Sequence, residues 1–192
     1  MRSILILFLF SIVFASGAQS IKINEDIMHW EGGFIAGLNN DGYEMSFRGL
    51  YFPVQYVGLK VGIGFAGEIR EMSDWGREEW YPGHTYTARF KLNPALALRT
   101  PRLVHLNSKD AGFYIFAEPG FVLSPSAVGR GVDKTFSWDL KCGINMQIKR
   151  SIFTIGYGIS NFILYSGSHP MNFSGKPDYN THTIFIGGSY KL

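Results

Sequence analysis

Ser160 followed by Asn161 is the pair in this sequence best suited to nucleophilic chemistry. A serine hydroxyl becomes a nucleophile only when a nearby base takes its proton. Position 158, two residues earlier, is glycine, so no base stands beside the pair. The five histidines, His29, His84, His105, His169 and His182, show none of the short spacings that zinc ligands adopt. Recognition is a second kind of chemistry. Residues 69–83 gather Glu71, Asp74, Glu78 and Glu79 with Trp75, Trp80 and Tyr81. Aromatic side chains anchor partners, and acids attract cations or basic ligands. A third kind is charge pairing, because acids and bases recur on one face of several alternating segments.

The alternation identifies those segments. Between 136 and 149, Phe136, Trp138, Leu140, Cys142, Ile144, Met146 and Ile148 alternate with Ser137, Asp139, Lys141, Gly143, Asn145, Gln147 and Lys149. Successive strand side chains point to opposite faces, so this is a strand with one apolar and one polar side. A helix would scatter both sets around its circumference. The pattern returns over 85–99, where Pro94 is a blemish because it lacks a ladder donor. It also returns over 57–65. Eight strands are predicted, at about 29–38, 42–51, 56–68, 84–99, 112–123, 135–149, 151–164 and 180–191. Outer connections are expected at 39–41, 69–83, 124–134 and 165–179. Inner connections are expected at 52–55, 100–111 and around 149–151. Most of the outer set are long and most of the inner set short, the habit of membrane barrels.

Residues 1–18 are expected to be a signal peptide, with Arg2 ahead of an apolar run and small residues at the cleavage site. The run, about 12 residues, is shorter than the ~20 that a spanning helix requires. Residues 19–192 then form one barrel domain carrying a net charge of +2, the total of +3 less Arg2. That balance, without a basic cluster, predicts no nucleic-acid partner. The lone cysteine, Cys142, excludes an internal disulfide.

Either face could meet solvent. Trp30, Tyr43, Tyr51, Tyr86, Trp138, Tyr157 and Tyr190 lie on the apolar face near strand ends, as interfacial girdles do. Small residues crowd the polar face, as a narrow lumen requires. The expected fold is therefore an all-β, eight-stranded antiparallel up-and-down transmembrane barrel, with a soluble secreted barrel for an apolar ligand as the alternative. The lumen would receive Glu31, Glu44, Arg48, Lys60, Glu68, Arg89, Lys91, Arg99, Glu118, Asp139 and Lys141, with Lys149 and Lys191. Eight strands enclose just enough space for side chains, so charge-paired packing is expected rather than a pore. Sliding the register by one residue would put these bases in lipid, at about 2–4 kcal/mol each near the midplane.

The final segment, 182–192, places Ile184, Ile186, Tyr190 and Leu192 at alternating positions. It resembles the C-terminal strand of bacterial outer-membrane proteins, although that family usually ends in phenylalanine and has an apolar residue where Gly188 stands. The mature chain is similar to the small, porin-like outer-membrane barrels with eight strands. The resemblance implies location in the bacterial outer membrane, contact with its lipid, and delivery by the barrel assembly machinery through the last strand. It implies no single activity. Ser160 and Asn161 are also similar to the His-x-Ser-Asn motif of outer-membrane lipid A deacylases, but Gly158 stands where the histidine would be. The expectation is a non-enzyme without cofactor or metal. Its outer loop, with Trp75, Glu78, Glu79, Trp80 and Tyr81, would meet an extracellular ligand. A lipid-modifying enzyme is the alternative.

Overall fold

The structure is a computed structural model that describes residues 29–40, 42–68, 88–105, 111–125, 135–162, 164 and 180–192. Side chains at 68, 104 and 105 lie outside the described set. So do the segment expected to be a signal peptide, the girdle residue Tyr86, and the loop residues Trp75, Glu78, Glu79, Trp80 and Tyr81.

Nine strands are present: β1 (His29–Asn39), β2 (Gly42–Val54), β3 (Val57–Glu68), β4 (Ala88–Arg99), β5 (Val104–His105), β6 (Ala111–Leu123), β7 (Phe136–Ile148), β8 (Ser151–Ser160) and β9 (Thr181–Lys191). They form one antiparallel sheet in the order β4-β3-β2-β1-β9-β8-β7-β6, and a β4–β6 pairing closes it. Eight strands therefore make an up-and-down barrel. The two-residue β5 rests on the start of β6 outside the ring order.

The apolar set faces outward. Ile115, Ile144, Ile155 and Ile186 are directly paired across β6, β7, β8 and β9. All four are about half exposed, at 47–64 %. The opposite faces are buried and polar, with Arg48, Lys60, Glu118, Lys141 and Glu44 each at most 6 % exposed. Closure leaves none of the eight ring strands with an open side.

Two strands differ from the sequence expectation. The short β5 arises because the chain after Thr100 stays against β6: Thr100 N donates to Ile115 O at 2.9 Å and Leu103 N to Phe113 O at 2.8 Å. β8 stops at Ser160, short of the expected end at 164. Ser160 Oγ donates to Trp138 O at 2.7 Å, and Trp138 N donates to Asn161 Oδ1 at 2.8 Å. Side chains thus replace the ladder, and Phe162 and Leu164 turn inward to pack with Ala66 and Val122.

The β4–β6 seam is the irregular one, and two prolines account for it. Its ladder joins Leu92 to Leu123, Ala95 to Gly120, Leu98 to Ala117 and Arg99 to Phe116, but not the positions between. Even-numbered residues of β4 point their backbone groups at β6, as Thr100 does, and odd-numbered ones at β3, as Arg99 N does toward Tyr56 O. In this register Pro94 stands opposite Phe121, and Pro119 opposite Leu96. Each proline removes the donor of one hydrogen-bonded pair. Asn93 repairs the first loss: its Nδ2 donates to Phe121 O at 2.7 Å. Gly120 lets the strands approach, since a Cβ there would lie 2.4 Å from Ala95 Cβ.

Asn93→Ala should lower stability by about 1–3 kcal/mol, because a carbonyl loses its donor away from water. Pro94→Ala in the same chain should recover part of that loss by restoring the backbone N–H. Denaturant unfolding in micelles measures both. Equal stability of the single and double variants would refute the substitution of side chain for backbone.

Candidate functional site

The buried interior is the site that the sequence marked most densely, and it is built in layers. Near the short-turn end, Arg99 Nη1 donates to Glu31 Oε1 at 2.8 Å, with His29 Nε2 at the same distance from that oxygen. Arg99 also lies 3.7 Å above the Phe52 ring, and Phe52 packs with Leu50 and Ala97. The next layer centres on Glu118. Lys60 Nζ donates to one of its oxygens at 2.7 Å and Arg48 Nη1 to the other at 3.4 Å. Arg48 Nη2 reaches on to Thr154 and Ser189, both at 2.8 Å.

An apolar cluster of Ile35, Phe116 and Phe185 packs beside these residues. The Phe185 ring needs glycine opposite it, since a Cβ on Gly156 would lie 2.5 Å from its Cζ. Lys141 stands directly opposite Glu118 in the β6–β7 ladder, and Glu44 receives it on one oxygen and Lys91 on the other, each at 2.6 Å. Asp139 lies 3.7 Å from the same Lys141 ammonium and accepts from Asn93 at 3.1 Å. At the long-loop end, Arg89 and Lys91 stand 4.8 and 4.7 Å over the Phe162 ring.

Of the expected lumen residues, Glu31, Glu44, Arg48, Lys60, Arg89, Lys91, Glu118, Asp139 and Lys141 are buried, and Arg99 is nearly so. Glu68 has only its strand position described, opposite Gly42. Lys191 is half-buried at the mouth. Lys149 is not in the lumen: it occupies the two-residue turn between β7 and β8, exposed, with φ of 54°. The turn interrupts the alternation one residue after Ile148. Sequence reasoning missed the neutral members Asn93, Asn145, Thr154 and Ser189, although all sit on the polar faces. It also missed the buried Ile35, Tyr114, Phe116 and Phe185. These lie where both faces of a strand are apolar, so alternation carries no signal.

Chemically the interior is quenched. Each described acid contacts a base, and the void between Glu31, Arg48 and Leu50 measures about 10 Å³. That is the space of about one water. Ser160 is buried, with its hydroxyl donating to Trp138 O and accepting from Phe162 N. His182, on the neighbouring strand, is engaged by Tyr157 Oη at 2.6 Å. Among the described residues no group of three or more His, Cys, Asp or Glu stands close enough to hold a metal.

The exterior has the inverse character. Trp30 packs on Tyr51 at 4.6 Å near one end of the belt, and Phe121 on Phe136 at 4.8 Å near the other. A continuous apolar wall around charged contents is stable in lipid and not in water. A soluble barrel, with its apolar face inward, is thereby excluded.

No protein-family model matches the chain, and no curated protein matches it. Solved structures do. Outer membrane protein H of Pseudomonas aeruginosa is 15 % identical, covering 85 % of this chain and 99 % of its own, with a TM-score of 0.48. The N-terminal β-barrel domain of OprF from the same species is 8 % identical over 85 % of this chain and 97 % of its own, also at 0.48. Neisserial surface protein A is 9 % identical over 86 % and 97 %, at 0.46.

Glu44→Gln should cost about 3–5 kcal/mol, because two buried ammonium groups lose their carboxylate. The loss is read as earlier unfolding of the heat-modifiable gel form. Unchanged unfolding would mean that the lumen is wet enough to solvate Lys91 and Lys141.

Proposed function

We propose that this chain is a non-enzymatic barrel of the bacterial outer membrane that holds its long loops at the cell surface for recognition or attachment. One observation carries the reading: the wall is apolar while the interior is filled by mutually neutralised side chains. A filled lumen leaves no conduit and no open cleft in the membrane layer, so the barrel acts as a rigid support. The outer loop with Trp75, Glu78, Glu79, Trp80 and Tyr81 is the proposed contact surface, since it joins aromatic anchors to acids. Assembly is proposed to proceed through β9, whose outward residues Ile184, Ile186 and Tyr190 alternate with Phe185, Gly187 and Ser189, with Gly188 at the remaining outward position.

The lipid-modifying alternative needs a free serine and a base. Ser160 instead ties β8 to β7, which supports the structural reading of that residue. Purified protein in planar bilayers should give no stable single-channel steps. Large, reproducible steps would overturn the closed lumen and the support role built on it.

A further inference from the structure

At the short-turn end the lumen widens into a cavity of about 320 Å³. Its wall brings together residues from distant strands: Arg99 at the end of β4, Arg102 in the connection that follows, Tyr114 of β6, Gln147 of β7 and Lys191 of β9. Three of these are basic, and among the described residues no carboxylate lines the cavity. Glu31 lies just beneath, held by Arg99.

Tyr114 is the second, independent sign of a ligand. It is 97 % buried, being 3 % exposed; the Arg99 guanidinium stands near its oxygen, but its O–H finds no acceptor. A buried hydroxyl left unpaired is costly, and such groups call for a missing partner. The same edge of the barrel is basic on its outside. Arg102, Gln147 and Lys191 also line an external groove of about 850 Å³, together with Lys149, Arg150, Phe153 and Tyr190. Cations at the rim thus stand directly beside side chains of the apolar belt.

We propose that this mouth binds a phosphate group. Arg99, Arg102 and Lys191 would surround it from three strands or turns, and Tyr114 Oη would donate the deepest hydrogen bond. Separate cations approaching from different directions suit a tetrahedral oxyanion with several acceptor oxygens better than a planar carboxylate. Charged donors make the strongest hydrogen bonds to such a group. Two sources present this chemistry: free inorganic phosphate, and a phospholipid headgroup reaching over the Arg102–Lys191 edge from the external groove.

The test uses the full-length barrel in a phosphate-free maltoside detergent, with isothermal titration calorimetry against two probes. One is inorganic phosphate in matched chloride; the other is short-chain phosphatidylglycerol. Saturable binding of at least one is expected, weakened at least tenfold in Lys191→Gln and in Tyr114→Phe. Tyr114→Phe keeps the ring and its packing, so it remains informative if Lys191→Gln fails to assemble. Heat-modifiable migration verifies assembly of each variant. Binding of inorganic phosphate supports the proposal with a free ion as source; binding of phosphatidylglycerol alone supports it with a headgroup. No saturable binding of either probe, or binding unchanged in the assembled variants, would overturn it.

Discussion

Hydrocarbon offers no hydrogen bonds, so every backbone donor and acceptor at membrane depth must be satisfied by the protein itself. The closed ring of eight strands is the direct response, and the pairing of β4 with β6 completes it. The seam shows how strict the requirement is. Where Pro94 cannot donate, the Asn93 amide crosses to Phe121 O in its place. Where the β8 ladder ends, Ser160 and Asn161 bind both backbone groups of Trp138. Strand pairing and its side-chain repairs obey one rule.

The same solvent decides which side chains go where. Lipid accepts the isoleucine row of β6 to β9 and rejects charge, so the bases must turn inward. Inside, an isolated charge would be costly, and each described acid is met by a base. Glu44 is shared between Lys91 and Lys141, and Glu118 between Lys60 and Arg48. Apolar clusters at Phe185 and Phe52 pack beside these pairs, and cations lie against the rings. Such an interior is held by directional bonds among all eight strands of the ring. It therefore stiffens the wall and fills the lumen at once, which is the property that a support for surface loops needs.

Much of this was legible in the sequence. The alternation from Phe136 to Ile148 fixes β7 and both of its faces, and the acids and bases on polar faces identify the lumen set. The partners were not legible. Arg48 and Glu118 are 70 residues apart, and only the barrel register brings them together. Apolar lumen residues were hidden where period 2 fails: Phe34-Ile35-Ala36 and Tyr114-Ile115-Phe116 are apolar on both faces. The end of β8 was hidden because side chains make it, with Ser160 and Asn161 taking the backbone groups of Trp138. Pro94 was visible as a flaw in a strand. Its meaning required Pro119 on the strand across the seam.

Cys142 gives the most direct test of the inside-out arrangement. It is the only cysteine, lies midway along β7, and points outward. A nitroxide attached there in liposomes should collide freely with oxygen and hardly at all with a water-soluble nickel chelate in electron paramagnetic resonance. The opposite ranking, with the chelate dominant, would place that face in water and contradict the structure's assignment of wall and lumen.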